Sequence, residues 1–389
     1  MRWTVASFAI LSAGLTPLGP SPVEAQSSYP SVKFSGRVQQ QFYAFDNAAY
    51  ASSVGPTSNF LIRRARIEAS GQIAERVAFY IQPSFEGGRS LSASATCEPV
   101  TVPDGGGTFT PNCEISGRSG VRLRDAWIEL SARPEQARTN FFLRVGQDKR
   151  PFSRYELTSS RNLPSIERGA GRGLPGRASN DLFEGAGYLS TDVGAHARVE
   201  HTLGESRKAV LTVGVYNGQG ESVSDVNAGK SFGARATVAL TRRLDIGGAW
   251  FRHDGIVAGD SAFGNTAFEV DAQWGRVGEP GLFLLSEFSS GEDASAAKRS
   301  MRGFQVVAAW HARMPGKAPW LYAIEPAARF DVGDPDSDVD GDQVRTFTAA
   351  LGLYMSSRTQ LRVAYEGQTF QNPALERVNG LRTALAVNF

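Results

Sequence analysis

Three of the four residues from Arg63 to Arg66 are arginines, inside the stretch "NFLIRRARIEASG". A guanidinium stays charged at any physiological pH and presents a planar fork of donors, so such a cluster suits carboxylates, phosphates and other oxyanions. In a strand, side chains alternate between faces. Arg64 and Arg66 then share one face with Glu68 and Ser70, and Arg63 falls on the other with Leu61, Ala65, Ile67 and Ala69. A second basic cluster lies further on: Lys149, Arg150, Arg154, Arg161, Arg168, Arg172 and Arg177, set against only Glu156 and Glu167. Confined in a narrow space of low dielectric, that segment concentrates anions and repels cations; on a solvated surface it binds nothing. Ser159 and Ser160 add neutral donors beside it.

Other chemistries fail on spacing. The run "DVGDPDSDVDGDQV" places Asp336, Asp338 and Asp340 before Gly341 as a calcium loop would, but its twelfth position is Phe347 and no flanking helix is expected. A solvated acidic turn is therefore favoured there over a Ca²⁺ site. The four histidines, His196, His201, His253 and His311, show no metal spacing, and His196 and His201 face opposite sides of one strand. No Ser/His pair with an orienting partner can be assembled, so neither an enzyme nor a cofactor is expected. "VGVYNGQG" has Gly218 and Gly220 but lacks the lysine and helix of a phosphate loop. The two cysteines, Cys97 and Cys113, bracket a Gly/Pro/Thr-rich segment, and in an exported chain they are expected to form a disulfide that closes one loop.

The elements that must position these residues read as strands. Residues 1–25 have the pattern of a secretory signal peptide: Arg2, the apolar "VASFAILSAGL", and "VEA" as a small-residue cleavage site near Ala25. After it, alternation recurs in sixteen stretches, about 31–45, 60–71, 75–86, 119–131, 139–147, 193–203, 208–217, 230–241, 243–253, 265–275, 282–289, 301–312, 320–331, 343–354, 359–370 and 378–389. No helix-period stretch competes with them. Short turns alternate strictly with longer segments at 46–59, 87–118, 148–192, 217–229, 254–264, 290–300, 332–342 and 371–377. That parity describes a transmembrane β-barrel with short periplasmic turns and long external loops, and a β-sandwich has no reason to keep it.

Face patterns agree. Leu361, Val363 and Tyr365 alternate with Gln360, Arg362, Glu366 and Gln368, while Phe34, Val38 and Phe42 alternate with Lys33, Arg37, Gln39, Gln41 and Tyr43. A mean hydropathy of -0.25 with 42 glycines and 10% aromatic residues fits lipid-facing strands with a watered interior. Overall charge, 41 basic against 39 acidic residues, offers nothing to nucleic acid. The expectation is an all-β protein: a 16-stranded antiparallel barrel over 26–389 whose third loop, 148–192, folds inward as a constriction.

The runs "SGRVQQQFYAFDN", "FLIRRARIEASG", "RLRDAWIEL", "LRVGQDKRPFSRYELTSSRNLPSIERG" and "VGVYNGQG", and a C-terminal strand ending on Phe389, together resemble the phosphate-selective porin O/P family. The resemblance runs from about Val32 to Phe389 and is strongest through Gly169. It implies a homotrimeric bacterial outer-membrane channel that passes phosphate-like anions, with a site at Arg37, Arg63, Arg64 and Arg168, beside Ser159 and Ser160, and Asp125 as the acidic partner. Lys149, Arg161 and Arg66 join that site on charge and face. Two positions depart from the family pattern: Glu156 stands where a lysine is expected three residues before Ser159, and the fifth external loop, "DGIVAGDSAFG", has no basic residue. The rival readings are a general diffusion porin, with the loop arginines balanced by carboxylates such as Asp125 and Glu129, and a barrel that is structural or enzymatic.

Overall fold

A computed structural model describes residues 29–50, 55–86, 94–101, 108–116, 121–133, 137–204, 207–223, 225, 227–257, 261–295, 297–314, 316 and 320–389, with backbone alone at 94–101, 108–116, 256–257 and 261–263. The signal-peptide expectation lies outside the described residues. Sixteen strands form one closed antiparallel barrel: β1 (Ser31–Phe45), β2 (Ser58–Ala74), β3 (Val77–Ser84), β6 (Arg122–Ser131), β7 (Thr139–Lys149), β8 (Thr191–Thr202), β9 (Lys208–Tyr216), β10 (Ser231–Ala239), β11 (Leu244–Val257), β12 (Ser261–Trp274), β13 (Gly281–Glu292), β14 (Ser300–Arg313), β15 (Ala323–Asp334), β16 (Val344–Tyr354), β17 (Thr359–Phe370) and β18 (Val378–Asn388). Each pairs with its neighbour in sequence, and β1 closes on β18 through reciprocal bonds between Gly36 and Phe389 at 2.8 and 3.0 Å. Closure removes the edge that an open sheet would expose.

The sixteen expected stretches all correspond to barrel strands, and three details differ. A separate hairpin, β4 (Ser94–Thr101) with β5 (Thr108–Ser116), occupies the expected second loop and sets Cys97 opposite Cys113 in register. The side chains of those cysteines, and so the expected disulfide, lie outside the described residues. The expected fifth loop is mostly ladder, since Asp254 pairs with Gly264 and Val257 with Ser261. Two short helices, α1 (Arg154–Leu157) and α2 (Ser179–Gly185), contradict the expectation of none; at four and seven residues they are too short to show a hydrophobic period.

Alternation sorts the strands into a wet or packed inside and an apolar outside. Phe34 is 73% exposed and Trp320 65%, and Val213, Trp250, Val270, Trp310 and Phe347 join them on the outer surface. So broad an apolar exterior is stable only in lipid. Among the described residues no helix is long and apolar enough to cross a membrane.

Inside, residues 150–190 are packed against the inner wall from several sides. Phe152, Phe183, Tyr188 and Leu189 form one cluster with Tyr216, Ala249, Phe251, Ala267 and Met301 of β9, β11, β12 and β14. Tyr155 and Leu163 pack on Phe283, Leu285, Val307 and Ala309; Ile166 packs on Ala350, Ala364 and Ala384; Ala170, Leu174 and Ala178 pack on Tyr43, Phe45 and Val378. Apolar contacts therefore anchor the segment to the wall from β9 to β18, between buried polar inward residues such as Arg235, Glu269, Gln305, Arg329, Glu366 and Gln368. The expected polar residues, Gln360, Arg362, Glu366 and Gln368 among them, do face inward, but they are buried under this segment and not bathed in water.

Asp192 at the start of β8 ties this segment to the next loop. It receives Arg150 at 2.8 Å, the Gly218 amide at 2.8 Å and the Gly220 amide at 3.3 Å, and is fully buried. Asp192→Ala leaves the buried Arg150 charge without its carboxylate, at a cost of about 3–5 kcal/mol. The expected outcome is an assembled barrel whose 150–190 segment becomes open to trypsin; protection equal to the parent's would contradict this role.

Candidate functional site

The arginine crowd resolves at a β-bulge. Along β1 and β2, Gln39 pairs with Arg64 and the next residue, Gln40, pairs with Ile62, so Arg63 has no partner in the ladder. An extra residue in one strand reverses the facing of everything beyond it. Phe60 (68% exposed) and Ile62 (46%) face outward on one side of the bulge, and Ile67 (45%) faces outward on the other. Arg63 and Arg64 consequently both point inward. Two assignments made from strict alternation are corrected by this: Arg63 is not on the outer face, and Leu61 packs against the interior cluster around Tyr43 and Phe45.

Both arginines converge on Glu167 of the interior segment. Arg63 holds it bidentately, Nε to Oε1 at 2.7 Å and Nη2 to Oε2 at 2.9 Å, and Arg64 Nη2 lies 3.5 Å from Oε2. Gln41 donates to the same carboxylate at 3.1 Å. Arg64 and Arg37 also donate to one acceptor, Gln39 Oε1, at 3.0 and 2.7 Å, and Arg37 reaches Ser160 Oγ at 3.3 Å. Burial raises the Glu167 carboxyl, but Arg63 and Arg64 outweigh it and hold the group well below the usual carboxylate range. Arg66 pairs with Glu86 alongside.

The other expected site residues separate. Lys149 Nζ lies 3.1 Å and Arg168 Nε 3.3 Å from the Glu156 carboxylate, so the residue that replaces the expected lysine is shared between both cations. Burial pushes Glu156 up, and Arg168 and Lys149 more than offset it, leaving its pKa at about 2. Arg161 reaches away to Glu68 at 2.6 Å, and Ser159 is exposed. Asp125 makes no ion pair among the described residues; Glu167 takes the acidic role given to it, and Glu129 serves Arg144 and Arg198 instead. In the acidic turn, Asp336 accepts the Asp338 amide at 3.2 Å, and among the described residues no group of three or more His, Cys, Asp or Glu is arranged to hold a metal.

Several participants were not singled out from sequence. Arg329 of β15 donates to the carbonyls of Glu167, at 2.9 Å, and of Gly169, at 3.0 Å. Arg382 of β18 donates to the Ala170 carbonyl at 3.1 Å and to Glu366 at 2.8 Å. Their signal was inward parity on distant strands, without a motif. Arg122 and Arg124 stand in the quoted "RLRDAWIEL", and β6 repeats the device of β2: Gln82 pairs with Asp125 and Pro83 with Leu123, which leaves Arg124 as the bulged residue.

Two cavities border the interior segment near these residues. One, of about 470 Å³, is lined by Arg63, Arg64, Arg66, Arg122, Arg124 and Arg168 and bounded by Glu156, Glu167 and Glu221; its contact with Gln219 and Val223 places it toward the long-loop rim. The other, of about 620 Å³, is bordered by Lys33, Arg161, Tyr354 and the turn residues Gly278 and Arg358, toward the short-turn rim. The chain from Glu156 to Arg168 contributes to both.

The profile of the family described as Phosphate-selective porin O and P matches residues 32–258. Among solved structures, the chain is similar to an anion-selective porin from Comamonas acidovorans, with 11% identity, TM-score 0.59, and 92% of this chain and 99% of that one covered. It is also similar to the outer membrane channel DcaP of Acinetobacter baumannii (13%, TM-score 0.53, 92% and 97% covered) and to the trimer form of OmpT from Vibrio cholerae (10%, TM-score 0.51, 92% and 99% covered). A comparison with curated proteins returned no match.

A group held below its free value contributes stability that is complete above the free value and is lost as pH falls through the held one. For Glu156 that window runs from the ordinary 4.5 down to about 2. Protection of the 150–190 segment from an acid-active protease is expected to hold from pH 7 to 5 and decline below about 4.5, with the decline reduced in Glu156→Gln. Loss beginning near neutrality, or an identical acid limb in the variant, would contradict the assignment.

Proposed function

Because the chain belongs to the phosphate-selective porin O and P family and is an outer-membrane β-barrel channel, we propose that it passes small anions of the phosphate class by passive diffusion. One observation carries the reading: the bulge in β2 turns Arg63 and Arg64 inward together, beside Arg66, so that guanidinium donors line the open cavity. An anion moving along that wall exchanges water for charge-assisted donors, and the loop carboxylates keep the exchange weak enough to release it. The interior segment acts as the constriction, with Arg63, Arg64 and Arg66 facing the open space and Arg37 and Ser160 buried behind them as support. Lys149 and Arg168 hold Glu156 and serve to shape the segment.

The name of the Comamonas acidovorans porin as anion-selective and the trimer form of OmpT support anion preference and a homotrimer for this chain. The signal peptide is proposed to be removed near Ala25, and a disulfide to join Cys97 and Cys113. A general diffusion porin with weak preference is the second reading. It is favoured by the carboxylates, Glu86, Glu156, Glu167 and Glu221, that each pair with arginines in the same cavity.

Reversal potentials in a KCl gradient across planar bilayers decide between the two. The anion reading expects preference for chloride over potassium and block of chloride current by added phosphate, and Arg64→Gln lowers the permeability ratio by roughly two- to fivefold. A cation-selective or unselective wild-type channel would overturn it.

A further inference from the structure

The same cavity holds a second arginine pair with a carboxylate seated on it. The β6 bulge turns Arg124 inward next to Arg122. Glu221 Oε2 lies 3.1 Å from Arg122 Nη2 and 3.7 Å from Arg124 Nη1. Glu221 comes from the loop after β9, and that loop is shaped to deliver it. Gly218 and Gly220 take φ of +90° and +89°, and Ser222 takes +57°, a left-handed conformation uncommon outside glycine. The Gly218 and Gly220 amides are fixed on Asp192, the Ser222 amide donates to Gln147 Oε1 at 2.7 Å, and the Ser222 hydroxyl donates to the Leu123 carbonyl at 2.9 Å. The "NGQGES" run therefore aims a carboxylate at the bulge of the neighbouring wall.

The two carboxylates differ in how firmly they are held. Glu167 is buried, engages Arg63 with both oxygens, and belongs to the packed interior segment. Glu221 turns the same oxygen, Oε2, toward both arginines; its own side chain is only 9% exposed, but Arg122 is 40% exposed, and the Glu221 loop is clipped by a few hydrogen bonds. A single-oxygen contact with a partly solvated guanidinium is the weaker pair.

We propose that Arg122 and Arg124 form a second anion station in the channel, with Glu221 as its resident occupant, and that a polyvalent oxyanion displaces Glu221 to use it. A phosphate dianion brings more charge and more acceptor oxygens than the single carboxylate it replaces, whereas chloride brings the same single charge and no oxygen. Glu221 thus sets how much the station favours polyvalent anions over monovalent ones. This inference rests on the anion-channel reading above.

The test is phosphate block of chloride current through single channels in planar bilayers, using wild type, Glu221→Gln, Arg124→Gln and the double variant. Glu221→Gln is expected to lower the phosphate concentration for half block about fivefold, with unchanged heat-modifiable mobility showing that the barrel is intact. Adding Arg124→Gln is expected to cancel that gain. Unchanged block in Glu221→Gln, in a wild-type channel that is anion-selective, overturns the station alone. A gain that persists in the double variant also overturns it, because Glu221 would then act only through the general field of the lumen. A cation-selective wild type instead removes the anion-channel reading beneath it.

Discussion

One carboxylate between two arginines fixes where the interior segment crosses the barrel. Glu167 is held by Arg63 with both oxygens and approached by Arg64, and this requires two consecutive side chains on the same face of a strand. Only a bulge supplies that. With Glu167 fixed, its own carbonyl and those of Gly169 and Ala170 accept hydrogen bonds that Arg329 and Arg382 donate from across the barrel. Gly171, at φ +65°, then turns the chain where a β-carbon would meet Glu167 and Arg382. Backbone polar groups buried inside a barrel must find partners, and here arginines provide them.

Packing and charge divide the interior between them. The segment's aromatic and aliphatic residues anchor it to the wall from β9 to β18, and the open space toward the long-loop rim lies against β2, β3 and β6, where the bulged arginines stand. Charge counted from Lys149 to Arg177 alone, seven basic against two acidic, overstates the field of the loop. Asp192, Asp271 and Glu68 of the wall take Arg150, Arg154 and Arg161, while Glu156 inside the segment takes Lys149 and Arg168. Selectivity in such a lumen is decided by which charges face the open path, since the sums nearly cancel.

The barrel was legible because its determinants are local: period-two alternation, turn residues and the parity of connections recur in every hairpin. Arg37, Arg63, Arg64 and Arg66 were legible as inward or clustered charges. The partners were harder to read, because they join residues far apart in the chain, as Arg37 does with Ser160 and Arg161 with Glu68. A bulge leaves only a break in alternation, one residue long, and two arginines in a row made that break visible in β2. In β6 the same break at Arg124 and Asp125 has no such doublet to mark it, and the family resemblance points only to Asp125 there. The short helices and the interior core escaped notice for a related reason: neither four residues nor seven establish a period, and the residues packed against them come from strands that are otherwise ordinary.

The most direct measurement is cysteine scanning from Phe60 to Glu68 in a chain whose Cys97 and Cys113 are replaced by serine, with block of single-channel current by a water-soluble thiol reagent as the readout. The bulge predicts block at positions 61, 63, 64, 66 and 68 and none at 60, 62, 65 and 67. Block at 62, 64, 66 and 68 with 61 and 63 silent would mean an unbroken strand, with Arg63 turned away from the channel, and would contradict the account.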